Sequence, residues 1–165
     1  MKKFIFCIGL LSLACLASLL LGGAKEDIQD DPVRDYVASL RSELSNGKAG
    51  LINEVMKLSV KEAKIFWPIY YEYEKELFEL GDRRLEMIEQ FVVAQNSKAL
   101  DDEQAKIMSA DWFQLQADRL DLFRKYHTVI SKDLSEVHAA QFIQIEHRVN
   151  TMIDIMIASQ LPLIK

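Results

Sequence analysis

Apolar side chains recur every three or four residues along most of the chain, which is the spacing of one face of an α-helix. Glycine and proline, the residues that interrupt regular structure, number only six and three. Strand-and-turn architectures need more interruptions than that. The pattern therefore predicts an all-α fold of about four long antiparallel helices. We expect a proline-kinked central helix and an open bundle or cradle-like arrangement.

The first helix is predicted from Pro32 to about Met56. Asp31 can cap its start, and proline is tolerated at a first helical position because no hydrogen bond is lost there. A polar residue and two glycines are expected to kink or interrupt this helix. They are Asn46, Gly47 and Gly50.

The second helix is predicted to begin at Val60, because Ser59 and Glu62 match a capping box in which each side chain bonds the backbone amide of the other residue. It is expected to reach about Ser97, a rod of roughly 55 Å at ~1.5 Å per residue. Pro68, in the third turn, is expected to bend it. Its apolar stripe consists of Phe66, Tyr70, Tyr73, Leu77, Leu80, Met87, Phe91 and Ala94.

Two further helices are predicted. The third starts near Asp102, with Asp101 as its cap and Gln104 as the capping-box partner. The fourth follows Ser135 and ends before Pro162. The third carries Ala105, Met108, Trp112, Leu115, Leu122, Tyr126 and Val129 in one apolar row and Phe113, Leu120, Phe123 and Ile130 in another; the fourth carries Phe142, Ile145, Val149, Met152 and Met156.

Arg84 and Arg119 interrupt the apolar stripes of the second and third helices. Two interpretations stay open: exposed arginines at the edge of each stripe, or half-buried guanidinium groups that need carboxylate partners. In an antiparallel pair of these helices, facing residues have numbers that sum to about 198. That register places Arg84 opposite residues 111–114 and Arg119 opposite Glu79.

The amino-terminal segment predicts export. Lys2 and Lys3 precede an uncharged run over residues 4–21, and small residues and a polar stretch follow, which is the order of a secretory signal peptide. We expect cleavage after Ala24, which leaves a single all-helical domain over residues 25–165 in the periplasm or outside the cell. An uncleaved membrane anchor and a lipoprotein signal at Cys15 are the alternatives.

Cleavage would remove both cysteines of the chain, Cys7 and Cys15, and leave an acidic domain. The whole chain carries 20 Lys and Arg against 25 Asp and Glu, and two of the basic residues lie in the signal. Without cysteine the domain cannot use thiol catalysis or thiolate metal ligands. Without a basic run, nucleic acid is not an expected partner, and membrane contact is expected only through an uncleaved signal.

The starts of the second and fourth helices share a pattern. Leu58, Ser59, Ala63, Phe66 and Ile69 recur 76 positions later as Leu134, Ser135, Ala139, Phe142 and Ile145, and Leu100, Asp101, Gln104 and Ala105 form a partial third copy. Two explanations stay open, which are good capping at every helix start and a true internal repeat.

These helix starts resemble the Spy/CpxP family of periplasmic stress proteins, which is marked by Leu-Thr-x-x-Gln at two helix starts. Here Leu58 to Glu62 reads Leu-Ser-x-x-Glu, Leu134 to His138 reads Leu-Ser-x-x-His, and Leu100 to Gln104 reads Leu-Asp-x-x-Gln. Long acidic helices and the run Phe66-Trp67-Pro68 add to a likeness that covers about residues 45–158. The resemblance implies a curved homodimer of long kinked helices. It also implies ATP-independent protection of unfolded envelope proteins, or inhibition of a stress-sensing kinase.

The candidate partner-binding residues are aromatic and methionine side chains. Five rings within residues 66–73 span about 160° of the helix at ~100° per residue, which is wider than one heptad seam buries. Methionine side chains adapt to varied partners. Core packing is the alternative for both groups. The candidates are Phe66, Trp67, Tyr70, Tyr71, Met152 and Met156.

No catalytic arrangement stands out, because the sequence has no glycine-rich phosphate loop and scattered residues on helices do not define a triad. We expect no enzymatic activity and no cofactor. The predicted function is that of an exported helical binding protein, chaperone-like or a stress-sensor partner, which holds apolar segments without ATP. The alternative is a periplasmic metal-binding or metal-responsive protein that uses His127, His138 and His147 with nearby carboxylates.

Overall fold

A computed structural model of the protein describes residues 39, 47–97, 99–161 and 163–164. Within those residues it has four helices and no strand, which confirms the predicted all-α fold. The signal peptide, its cleavage site, the predicted start of the first helix and Asn46 lie outside the described residues.

The helices follow one another through short connections. None of those described is both long and apolar enough to cross a bilayer. Helix α1 covers residues 47–56, α2 covers Val60–Asn96, α3 covers Asp102–Asp133 and α4 covers Glu136–Gln160.

Each of the three later helices begins at the residue that its capping side chain predicts. The Ser59 hydroxyl accepts a hydrogen bond from the Glu62 amide, and the Glu62 carboxylate accepts one from the Ser59 amide at 2.8 Å, so the capping box is complete. These hydrogen bonds hold the pKa of the Glu62 carboxyl below its usual value. The caps of α3 and α4 are Asp101, which accepts from the Gln104 amide at 2.9 Å, and Ser135, which accepts from the His138 amide at 3.1 Å.

Helix α1 runs without a break through Gly50, so the predicted interruption at that glycine is wrong. Gly47 is the first residue of α1 that the structure describes, and an interruption before it lies outside the described residues. Glycine costs a helix roughly 1 kcal/mol relative to alanine. Burial of Ile52 and Met56 in the core offsets that cost by removing apolar surface from water. The helix ends at Met56, as predicted, and Lys57 follows with a φ of 49° in the left-handed region that ends many helices.

The buried core lies at one end of the helix bundle. At that end α1 finishes, α2 begins, α3 finishes and α4 begins. At the other end, the part of the chain that the structure describes buries few apolar side chains, among them Leu85 and Leu115. The core residues are Ile52, Met56, Phe66, Tyr70, Tyr73, Leu122, Tyr126, Ile130, Ala139, Phe142 and Ile145.

Helices α2 and α3 are antiparallel, in a register close to the predicted one. Glu76 pairs with Lys125 and Arg83 pairs with Asp118, and the numbers in each pair sum to 201. The difference from the predicted sum of about 198 is less than one helical turn. Side chains that face each other across this pair could therefore be located approximately from the sequence.

Candidate binding groove

An apolar groove lies at the end of the bundle opposite the core. It is formed by the second half of α2, the first half of α3 and the end of α4, and its volume is about 190 Å³. The apolar side chains that define its walls include Met87, Phe91, Met108, Trp112, Leu115 and Ile157.

The aromatic side chains of α3 leave the groove open to solvent. Trp112, in the groove wall, keeps 52% of its surface exposed. Its ring meets the exposed ring of Phe113 edge to face, with 5.3 Å between the centroids. Large apolar rings that lie together on a protein surface commonly mark a binding site. The groove is therefore the candidate functional site.

Arg84 and Arg119 meet the same carboxylate beside the groove. Arg84 Nη1 lies 2.5 Å from Asp154 Oδ1, and Arg119 Nη1 lies 3.1 Å from Asp154 Oδ2. The interpretation as half-buried guanidinium groups with a carboxylate partner is correct, but the predicted partners, residues 111–114 and Glu79, are wrong. The prediction considered only α2 and α3, whereas Asp154 comes from α4, which packs against α3.

Two of the predicted partner-binding residues belong to the core. Phe66 and Tyr70 are buried, with ring centroids 5.5 Å apart, so neither offers a free contact surface. Trp67 is half-buried against both rings. Tyr71 is 62% exposed. The heptad spacing of Phe66 and Tyr70 within the apolar stripe of α2 predicts this burial. The wide angular spread of the five rings, which suggested a contact surface, does not.

The methionine candidates lie on α4 before the groove. Met152 is exposed and Met156 is half-buried. The neighbouring Ile157 supplies the α4 contribution to the groove wall together with Leu161. The prediction of an adaptable surface near the end of α4 thus falls close to the groove, although neither predicted methionine lines it.

The predicted motif residues start helices. Ser59, Asp101 and Ser135 cap α2, α3 and α4, and the Glu62 side chain completes the box at α2. The predicted capping-box role of Gln104 is wrong, because Gln104 contributes only its backbone amide, which bonds the Asp101 side chain. Leu58 and Leu134 pack against the core from just before two of the helices. Phe66 and Phe142, which match across the 76-residue offset, are both buried in that core. The two phenylalanines thus occupy equivalent positions relative to a cap and to the core.

The three histidines have different surroundings. His127 Nε2 is 3.7 Å from a carboxylate oxygen of Glu136, and His138 Nδ1 is 3.2 Å from the Ser135 hydroxyl. His147 is exposed. The described residues contain no group of three His, Cys, Asp or Glu side chains that could hold a metal ion.

A buried polar cluster at the core end was missed by the sequence analysis. The Glu146 carboxylate, with no exposed surface, accepts hydrogen bonds from Tyr70 Oη at 2.9 Å and Tyr73 Oη at 2.7 Å. Lys48 Nζ lies 3.1 Å from Glu146 and 3.3 Å from Glu74. The cluster ties α1 to α2 and α4.

The cluster holds its tyrosines in the protonated form. Burial, reinforced by the negative charge of Glu146, raises the pKa of Tyr70 and of Tyr73 well above 10. Both phenols are therefore constant hydrogen-bond donors. The sequence signal for this cluster was the place of Glu146 on the inner stripe of α4, four residues after Phe142 and three before Val149.

Comparison of the chain with models of known protein families, with curated proteins and with solved structures finds no match. The geometry of the described residues is thus what bears on function. It combines a closed polar cluster at one end with an open apolar groove at the other, and the groove is the part that a ligand can reach.

Proposed function

We propose that the protein is an exported helical binding protein that holds apolar segments of other proteins without ATP. It acts in the envelope as a chaperone-like protein or as the partner of a stress sensor. The observation that supports this best is the open groove whose wall includes Met87, Phe91 and Trp112. Export is proposed from the sequence of residues 1–24.

Apolar area removed from water supplies the affinity in this proposal, at roughly 25 cal/mol per Å². Trp112 offers a wide, rigid surface, and the flexible side chains of Met87 and Met108 can repack around differently shaped partners. A groove of this kind favours varied apolar segments over one defined sequence. Such binding needs no nucleotide, because association itself provides the free energy.

Aggregation of a denatured model client tests the proposal. Light scattering is followed with the purified protein, expressed from its full coding sequence, at several molar ratios to the client. We expect suppression at near-stoichiometric ratios, and we expect Trp112→Ser to weaken it at least severalfold because the groove loses its largest apolar surface.

Phe78→Ser is the matched control, because Phe78 is also an exposed ring on a helix, lies outside the groove wall and is not among the predicted partner-binding residues. It should leave suppression unchanged. Equal loss in both variants would show that the groove is not the binding surface, and no suppression by the unaltered protein would contradict the proposed function.

Mass measurement on the same samples tests the homodimer that the family resemblance implies.

A further inference from the structure

The groove has a cationic inner end. Arg84 and Arg119 share the single carboxylate of Asp154, and all three side chains are between one quarter and about one third exposed. Within these ion pairs of the described residues, two positive charges thus face one negative charge in a partly dehydrated place, where charges interact more strongly than in water. The neighbouring Arg83, by contrast, has Asp118 as its partner at 2.6 Å.

This positive charge borders the apolar wall directly. Arg84 lines the groove, and so does Gln116, whose side-chain oxygen accepts a hydrogen bond from Arg119 Nη2 at 2.8 Å. Asp111 is the other charged side chain in the lining. It lies six residues before the position of α3 that faces Arg84, about 9 Å away along the axis at ~1.5 Å per residue. The groove therefore runs from a cationic inner end along apolar walls to an acidic outer end.

We propose that this groove binds a single-chain amphiphile with an anionic headgroup, such as the carboxylate of a fatty acid. The headgroup accepts hydrogen bonds from Arg84 and Arg119, and the hydrocarbon chain lies against Met87, Phe91 and Trp112. Guanidinium groups suit a carboxylate because they present paired donors in one plane. The inference uses the same groove as the proposed function but does not depend on protein clients.

Decanoate below its micellar concentration is the first probe. Trp67→Phe leaves Trp112 as the only tryptophan, since the chain has two, and its fluorescence reports occupation of the groove. We expect a saturable change with decanoate and a change at least tenfold weaker with decyltrimethylammonium, which has the same chain and the opposite charge. Equal binding of the two amphiphiles, or no saturable change with decanoate, would overturn the proposal.

Two substitutions at the cationic end should act in opposite directions. Arg119→Gln removes one headgroup donor and should weaken decanoate binding about tenfold or more. Asp154→Asn removes the competing carboxylate and should tighten binding severalfold. Arg83→Gln is the control, because Arg83 pairs with Asp118 rather than with Asp154, and it should leave binding unchanged. Weaker binding in folded Asp154→Asn would contradict the proposed role of the arginines, even if Arg119→Gln failed to fold.

Chain length provides an independent readout. Each methylene added to the carboxylate should increase affinity by about three- to fourfold until the groove is filled. Charge-selective binding of decanoate without suppression of client aggregation would support this inference and contradict the proposed function. Suppression of client aggregation that depends on Trp112, without selectivity for the anionic amphiphile, would support the proposed function and contradict this inference.

Discussion

A carboxylate without exposed surface needs compensation of its charge inside the protein, because removal of an ion from water is expensive. Glu146 receives that compensation from Lys48 and from the phenols of Tyr70 and Tyr73. Lys48 itself is buried and lies over both rings, 5.4 and 5.8 Å from their centroids. Removal of one member would leave the other buried groups without a partner. We expect that to cost more free energy of folding than the intact cluster contributes.

Glu146→Gln should lower the free energy of unfolding by about 2 to 3 kcal/mol. The substitution removes the negative charge beside Lys48 and one acceptor of the tyrosine hydrogen bonds, while Glu74 still pairs with Lys48. Urea unfolding followed by helix circular dichroism measures the change. Glu76→Gln is the control, because Glu76 also accepts from a lysine and a tyrosine but lies nearer the surface, so it should cost less than about 1 kcal/mol.

Tyr70 and Tyr73 should stay protonated until the protein unfolds in alkali. Their pKa values are raised in the folded state above the ordinary value of 10.0, so the folded protein retains protons that the unfolded chain releases. Stability is complete below pH 10 and falls as the pH rises beyond it. In a variant with the other three tyrosines, Tyr36, Tyr71 and Tyr126, changed to Phe, phenolate absorbance at 295 nm should rise only as helicity is lost. A rise near pH 10 with intact helices would contradict the raised values.

Acid should destabilise the protein through its paired surface carboxylates. Hydrogen bonds from Lys125 and Tyr126 lower the pKa of Glu76 below 4.5, and the bond from Arg83 lowers the pKa of Asp118 below 3.8. The unfolded chain therefore takes up protons first, so this stability is present above those values and is lost as the pH falls through the lowered ones. Urea midpoints measured from pH 6 to pH 3 should decline less steeply for Glu76→Gln than for the unaltered protein.

At the scale of the single helix, local chemistry determines most of what is observed. Ser59, Asp101 and Ser135 each satisfy an amide that a helix start leaves without a partner, so the beginnings of α2, α3 and α4 could be predicted from the sequence. The antiparallel register of α2 and α3 was also close, because a short connection leaves little freedom. Such features depend on residues near one another in the chain.

Contacts between distant helices could not be derived in the same way. The sequence showed that Arg84 and Arg119 needed partners, but only the arrangement of three helices brings Asp154 to both. Likewise, Glu146 stands on the inner stripe of α4, yet its partners come from α1 and α2. The open groove was missed for the same reason, since its walls come from three separated segments.

Ser59→Ala should destabilise the protein by about 1 kcal/mol, because the substitution removes the hydroxyl half of the α2 capping box. Urea unfolding gives the difference. The control is Ser109→Ala, at an exposed position within α3 where the hydroxyl bonds the Ala105 carbonyl of the preceding turn. Alanine is the better helix former there, so stability should stay equal or rise slightly. Equal losses at both positions would exclude a specific contribution of the cap.

At the scale of the whole bundle, the described helices differ between the two ends of the bundle axis. Apolar burial is concentrated where α1 meets the other three helices, and the opposite end holds the groove. A packed end and an open end suit a protein that must keep its fold while one surface adapts to a ligand.

Amide hydrogen exchange should differ between the two halves of a single helix. In α2, amides of residues 66–74 should exchange more slowly than those of residues 88–95. In α3, which runs the other way, residues 122–130 should be slower than residues 105–112, because protection follows proximity to the core. Mass spectrometry of peptides from exchanged protein measures both pairs. Protection that follows the chain direction, rather than reversing between α2 and α3, would contradict this assignment.

The pair of Lys48 and Glu146 also bears on the order in which the protein can be completed. A ribosome makes α1 first and α4 last, so the lysine is synthesised nearly a hundred residues before its acceptor. Until α4 emerges, burial of Lys48, Tyr70 and Tyr73 would leave their polar groups without the carboxylate that they share. Closure of the core before α4 emerges would leave Tyr70 and Tyr73 without this acceptor, so we expect their burial to wait for Glu146, while Glu74 already offers Lys48 a partner.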